Sequence, residues 1–420
     1  MVAVALLTAV AVDLAYQARV SIHIAANGRD ELRAQALARG AVALGRLVLH
    51  FQTKLDEAAG RGQALAGAVT GGPAPASTMP RPQLWKMVPV DSLLVTNLFG
   101  GGGGSGEDRP KAGGKGAASG QGAPPGRGSG TSPAPARPEG PAPGSVDPDG
   151  HFQALLDDED RKINLQFEGT GDLPGARVAA FMALVEERRW DFLFDREDAN
   201  GQRTSRTDLA VHLNDWVDED QVQSSWTGNL QKPFEPGFGD ENFAYDRGAE
   251  RYKAKNARFD SLDELFLVTG ISDAFMAAFG DRLTVYLSRD SRMNVNASDP
   301  QELLRNARIM ADPQQQPILS DPTFAERLQK SVRELSMGGF MSLTPYQFAQ
   351  VLEGMGLSVN AIYRQANNVD QRGGFTDKSR VFRVRGVATV GQVEKAVEAV
   401  VTFDPAQSAQ LGRLLHWREE

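Results

Sequence analysis

The chain has 420 residues, a net charge of −8 at pH 7 and no cysteine. That length leaves room for two or three domains, and an acidic balance with a pI near 5.4 argues against wholesale nucleic-acid binding. The lack of cysteine excludes a disulfide framework, a thiolate zinc site and a cysteine nucleophile.

Residues 1–12 form an apolar run without charge, Gly or Pro, and it passes unbroken into an amphipathic stretch that ends near Leu55. Leu37, Ala41, Leu44, Val48, Phe51 and Leu55 recur at alternating spacings of four and three, which puts them on one side of a helix. Arg33, Arg39, Arg46 and Lys54 are left for the polar side. A single helix over 1–56 would be roughly 80 Å long at 1.5 Å per residue. Such a rod, apolar at its tip and amphipathic in its stem, suits a membrane-anchored subunit of a helical assembly better than a soluble enzyme. Twelve apolar residues fall short of the ~17–25 that span a bilayer, and no basic n-region or cleavage site precedes them. Two explanations stay open: a missing N-terminal leader, or an ordinary buried helix. The terminal position of the run and its periodic continuation favour the first.

Over 57–150 the composition collapses into Gly, Pro, Ala and Ser. Such a segment buries too little apolar surface to offset its ordering entropy, which predicts a disordered linker or insertion. One apolar island, 84–99, interrupts it and is expected to dock on the folded body. Order resumes at His151, and 151–173 is assigned to the first part of a sheet, with Ile163 and Leu165 alternating on one side. Residues 174–372 read as a helical domain. Candidate helices are 176–189, 207–217, 261–268, 273–286, 300–309, 323–335 and 345–352, several of them starting at Ser, Thr or Asp or just after Pro. Ser261 followed by Glu264 suggests a capping box. Residues 373–420 close the sheet. RVFRVRGVATVG reads as a strand, VEKAVEAVVTF fits strand or helix with its β-branched content favouring a hairpin, and LLHWRE adds a last strand.

The strongest local chemical signal is acidic: residues 208–246 carry nine carboxylates against one cation, Lys232. Asp218 and Asp220 lie two apart at a predicted helix end, a spacing that lets alternate carboxylates converge on one ion. Asp240, Glu241 and Asn242 offer further oxygens from the returning limb of a Gly-, Pro- and Asn-rich loop. Hard oxygen donors with no nearby His or Cys favour Ca²⁺ over Zn²⁺. The twelve-residue EF-hand pattern is missing, and a solvated acidic loop is an equal reading. A second run, 157–160, reads as a charged loop leading into a strand. The histidines at 23, 50, 151, 212 and 416 share no ligand spacing. With no GxSxG and no phosphate loop, a hydrolase has little support and no catalytic residue is assigned. LVTGISDAFMAAFGDRLTVY and MGGFMSLTPYQFAQVLEGMG have a helix–Gly turn–helix form that can hold a DNA backbone, but their acidic flanks favour structural packing.

Five segments, in order, carry a resemblance to the K-type minor pseudopilins of bacterial type II secretion (GspK, general secretion pathway protein K). They are VALLTAVAVDLAYQARV with DELRAQALARGAVALGRLVL, then DDEDRKINLQF, then LNDWVDED with GDENFAY. FDSLDELFLVTGIS with DRLTVYLSRDSRMNVNASDPQELL follows, and RVFRVRGVATVG with LLHWRE closes the chain. The resemblance implies an α+β, pilin-like fold: a long N-terminal helix plus a small antiparallel sheet, with a large inserted all-α domain. It implies a non-enzymatic subunit of the inner membrane, single-pass with a periplasmic domain and processed by prepilin peptidase. Such a subunit stands at the pseudopilus tip with the I and J minor pseudopilins, as part of the type II secretion machinery. Calcium in the acidic loop is implied as well, at Asp218, Asp220, Glu241 and Asn242, the last standing where the family usually shows a carboxylate. The face Leu37, Ala41, Leu44, Val48, Phe51 and Leu55 becomes the partner-binding surface.

The stretch 100–147 has no counterpart in the family pattern. In pilin-like filaments a glutamate near the helix start neutralises a neighbour's amine, because an unpaired buried charge is costly. No acid precedes Asp13, which suits a capping subunit with nothing above it. The competing reading is an envelope-anchored binding module that uses its helical domain for DNA or a calcium-dependent ligand.

Overall fold

The computed structural model describes residues 2–70, 81–99, 150–169, 171, 173–195, 197, 203–246, 251–312, 315–364, 374–404 and 411–420. The Gly/Pro-rich stretch 100–147 therefore lies outside the described residues.

The first element, α1, runs over Val2–Thr70 as one helix of 69 residues, well past the expected end at 56. Among the described residues no helix is long and apolar enough to cross a membrane. Two halves of α1 differ in surroundings. Up to Leu32 it projects with Leu7, Val10, Leu14, Tyr16, Ile22 and Ile24 exposed, whereas Ala34, Ala38, Ala41, Val42, Leu49 and Gln52 are buried.

What covers the second half is a five-stranded antiparallel sheet. Its strands are β1 (Val90–Asp91), β2 (Gly150–Asp158) and three from the C-terminal end. In chain order, β3 (Val222–Trp226) and β4 (Phe234–Asp240) form a separate hairpin. The sheet then resumes with β5 (Val381–Val390), β6 (Val393–Thr402) and β7 (Arg413–Glu419). The spatial order is β7-β6-β5-β2-β1. The island 84–99 thus supplies an edge strand, with Val90 opposite Ala154 and the Trp85 ring edge-on to Phe382.

VEKAVEAVVTF is a strand, paired with β5 from Val390↔Val393 outward, and Gly391 turns the hairpin at φ +59°. Helix and sheet meet through small residues. A Cβ on Gly45 would stand 2.8 Å from Val384 Cγ1, and one on Gly386 would stand 2.3 Å from the Ala38 carbonyl oxygen.

Between β2 and β5 the chain makes a predominantly helical insertion with two cores, and the β3–β4 hairpin is the chief departure from an all-α domain. The first core holds α2 (Leu173–Val185), α3 (Arg206–Val217) and α4 (Asp273–Phe279). The second holds α5 (Pro300–Met310), α6 (Pro322–Leu335) and α7 (Pro345–Gly354). The last three share one starting device: an Asp or Thr side chain caps the first turn and Pro occupies it, where no amide is needed. Phe324, Leu328 and Val332, four apart along α6, are its buried side.

Three expectations need correction. Ile163, Leu165 and Phe167 belong to the first core of the insertion, so the sheet strand is 150–158 and the insertion starts before 174. The helix expected over 273–286 stops at Phe279, and the chain beyond it becomes extended, with Leu283–Thr284 pairing in parallel with Ile163–Asn164. Ser261 makes no cap; its neighbour Asp260 donates its amide to Glu264, and the capping boxes are Ser205/Asp208 and Thr344/Gln347.

The run 157–160 is no solvated loop. Asp158, Glu159, Asp160 and Lys162 are all buried where the chain leaves the sheet for the insertion. Glu159 pairs with Lys162 at 2.6 Å and with Arg383 at 2.7 Å, and Arg161 bridges Asp157 and Glu302. Asp160 accepts the amides of Arg380 and Val381, and Asp158 accepts Ser379 Oγ and Asn294 Nδ2. One knot of buried charge thus ties both cores of the insertion to the sheet.

Candidate metal centre

The acidic loop is built from three pieces. α3 opens with the Ser205/Asp208 box and buries Leu209, Leu213, Trp216 and Val217, which fixes its C-terminal end against the first core. Trp216 packs edge-on to Tyr245 and stacks on Phe259, anchoring both sides of the loop to one aromatic group. Asp218 is the residue that ends α3, Asp220 follows in the turn, and Glu241 opens the 3₁₀ turn after β4. Pairing of Val222 with Asp240 closes the base of the β3–β4 hairpin beside them.

Asp218, Asp220 and Glu241 come together with their ligand oxygens all within 4.8 Å of one another. Asp218 Oδ2 accepts from Asn214 Nδ2 at 2.9 Å, and Asp220 Oδ1 accepts from the Val222 amide at 2.8 Å. The other oxygen of Asp218, Oδ1, is buried without a partner, and so is Glu241 Oε2 on a side chain only 2% exposed. Orphaned buried carboxylate oxygens are costly unless a cation or proton meets them. Burial, then repulsion from Asp215, Asp220, Glu241 and Glu168, pushes Asp218 up to about 8. Burial does the same for Glu241, to about 7, against a lowering bond from Asn256. The donor set is all oxygen and strongly anionic, so it fits a hard divalent cation with several open positions for water.

Asn242, the fourth position implied by the resemblance, clamps two loop segments: its Nδ2 donates to Asp240 Oδ1, and its Oδ1 accepts the Ala254 amide at 3.0 Å and keeps a second lone pair.

Two residues went unnoticed in the sequence. Asp215, one turn before Asp218, is buried, holds the Ser224 amide at 3.0 Å and is pushed by burial up to about 6. Its three-residue spacing from Asp218 was a usable sign. Asn256, at φ +51°, donates its Nδ2 to Glu241 Oε1 at 2.5 Å and to the Asp220 carbonyl. Nothing in the sequence pattern pointed to it.

The expected partner face is only partly available. Ala41 is fully buried under the chain's own sheet, Leu37, Leu44 and Val48 pack against that core from the side, and Phe51 and Leu55 face outward. At 100° per residue, the stripe of large residues lies roughly 80° around the helix from the buried one. The periodicity marked the flank because the seam itself is built largely of small residues, Ala34, Ala38, Ala41 and Gly45, with Val42 and Leu49 beside them.

No family model matches the sequence, and no curated protein matches it. Among solved structures, the chain is similar to one in the crystal structure of the GspK–GspI–GspJ complex from the type 2 secretion system of enterotoxigenic Escherichia coli. The identity is 14% and the TM-score 0.40, over 66% of this chain and 82% of that one.

Proposed function

We propose that the chain is a minor pseudopilin of a type II secretion system, acting at the tip of a periplasmic pseudopilus together with I and J minor pseudopilins. The observation that carries this reading is the division of labour along α1. Its second half is committed to the chain's own sheet, while the part up to Leu32 presents a long row of exposed apolar side chains. Such a surface needs cover from neighbouring helices or a membrane. The order of sequence segments supports the same reading. So does the bulk of the insertion between β2 and β5, which would obstruct a further subunit on top.

On this reading the protein is an inner-membrane subunit processed by prepilin peptidase, its role is architectural, and calcium sits in the acidic loop. Asp218, Asp220 and Glu241 would hold the ion, which would supply the positive charge that joins the end of α3 to the base of the hairpin. The test is co-expression of residues 32–420 with the candidate I and J proteins of the same organism, followed by size-exclusion chromatography. Co-elution of all three is expected. Separate elution in calcium and in chelator alike would overturn the tip assignment.

A further inference from the structure

A cleft of about 280 Å³ lies between the island before β1 and the second core of the insertion. Gln83 and Lys86 form one wall, and Val332, Arg333 and Ser336 at the end of α6 form the other. The walls are held in register. Arg81–Pro82 pairs antiparallel with Met341–Ser342, and the Gln83 amide donates to the Phe340 carbonyl at 2.7 Å. Among the described residues no carboxylate lines the cleft, although the chain as a whole carries −8.

Three side chains there have unused capacity. Gln83 is 6% exposed, and its Oε1 is buried without a hydrogen-bond partner. Lys86 is half-buried, with its ammonium 5.0 Å from the centre of the Trp85 ring and no ion pair. Arg333 is exposed and also has no ion pair among the described residues. Burial lowers the proton affinity of Lys86, with the acids nearest to it in field being Asp158, Asp157 and Glu302. Those acids are already engaged: Asp157 with Arg161 and Lys162, Glu302 with Arg161, and Asp158 with Ser379 and Asn294. Of the other polar side chains lining the cleft, Gln329 is committed to the Ser298 carbonyl, Ser336 to the Arg333 carbonyl and Asn296 to the Leu343 backbone.

Two uncompensated cations beside one desolvated acceptor specify a complementary ligand: an anionic group at one end and an N–H or O–H at the other. A cleft of this size takes the end of a molecule rather than a folded surface. We propose that it binds a free carboxylate with a hydrogen-bond donor beside it, the chemistry shared by a peptide C-terminus and an α-hydroxy acid. The carboxylate lies between Lys86 and Arg333, and the donor meets Gln83 Oε1 once the side-chain amide turns toward the cleft. This inference is independent of the secretion role and of the acidic loop.

Isothermal titration of the full chain with N-acetyl-glycyl-alanine, its C-terminal amide, lactate and acetate tests it. The free-acid dipeptide or lactate binds, whereas the amide and acetate bind at least about tenfold more weakly, a loss of about 1.4 kcal/mol. Tighter binding of the dipeptide identifies a chain terminus as the source, and tighter binding of lactate identifies a small hydroxy acid. Arg333→Ser, at an exposed position, keeps the melting temperature of the ligand-free protein and loses about tenfold in affinity. Gln83→Leu erases the preference over acetate. No heat from either free acid, equal binding of the amide, or unchanged affinity in Arg333→Ser overturns the proposal.

Discussion

At the scale of single residues, the acidic loop stores a conflict that only a positive charge resolves. Asp218 and Glu241 are raised by burial and by neighbouring carboxylates, to about 8 and about 7, so near neutral pH protons supply part of the counter-charge. A divalent ion bound there would displace those protons, which would tie its affinity to pH and make its binding energy part of the folding energy. Asp218→Asn removes one repelling carboxylate while leaving an oxygen for the Asn214 amide. In chelator this variant is expected to melt at or above the wild type, and in calcium to lose most of the rise in melting temperature expected for the wild type. Thermal melts in the two buffers check this; an equal fall in both would sink the metal reading. The D-x-D step and the returning Glu were legible because they are close in sequence and chemically unmistakable. Asn256 was not legible, since its part depends on a left-handed backbone at φ +51° that brings it back over the loop.

Elements are joined in this molecule by two unlike devices, a seam of small residues and a knot of buried charge. The seam predicts opposite outcomes for two glycines. Gly386→Val drives a Cβ into the Ala38 carbonyl and is expected to cost about 1–3 kcal/mol by overpacking. At Gly40 an added Cβ meets nothing within 4 Å, so Gly40→Ala should gain about 0.5–1 kcal/mol from helix propensity. Denaturant titration of both variants reads the difference.

In the knot, burial and the charge of Asp158 push Asp160 from 3.8 up to about 8. The folded state therefore binds more protons than the unfolded chain across that interval, and stability contributed by Asp160 falls as pH rises through it. Asp160→Asn keeps an acceptor for the Arg380 and Val381 amides and cannot ionise. Its melting temperature should match the wild type near pH 4 and exceed it increasingly toward pH 8; parallel curves would contradict the assignment. The strands and capped helices were readable from period and from the Asp-Pro or Thr-Pro starts. The knot was not, because 157–160 is as hydrophilic as any surface loop, and only the arrival of Lys162, Arg383 and the 379–381 backbone makes its burial tolerable.

At the scale of the whole molecule, the arrangement separates folding from assembly along one helix. The buried side of α1 is used up by the sheet, so in the proposed assembly association would fall to the projecting part and to the flank where Phe51 is 58% exposed and Leu55 also faces outward. A change on that flank should leave the monomer intact. Phe51→Glu alters an exposed side chain that contributes little to the core, and surface changes of this kind usually stay within about 0.5 kcal/mol. A charge there would, however, have to be desolvated in any helix–helix contact, which costs far more than the lost ring contact. If the proposed assembly is right, the variant is expected to show an unchanged melting temperature and to fail to co-elute with the candidate I and J proteins, while Glu57→Gln, on the same helix and likewise partly exposed, still co-elutes. Co-elution of Phe51→Glu at wild-type strength would move the assembly surface off this flank and onto another face of residues 32–420.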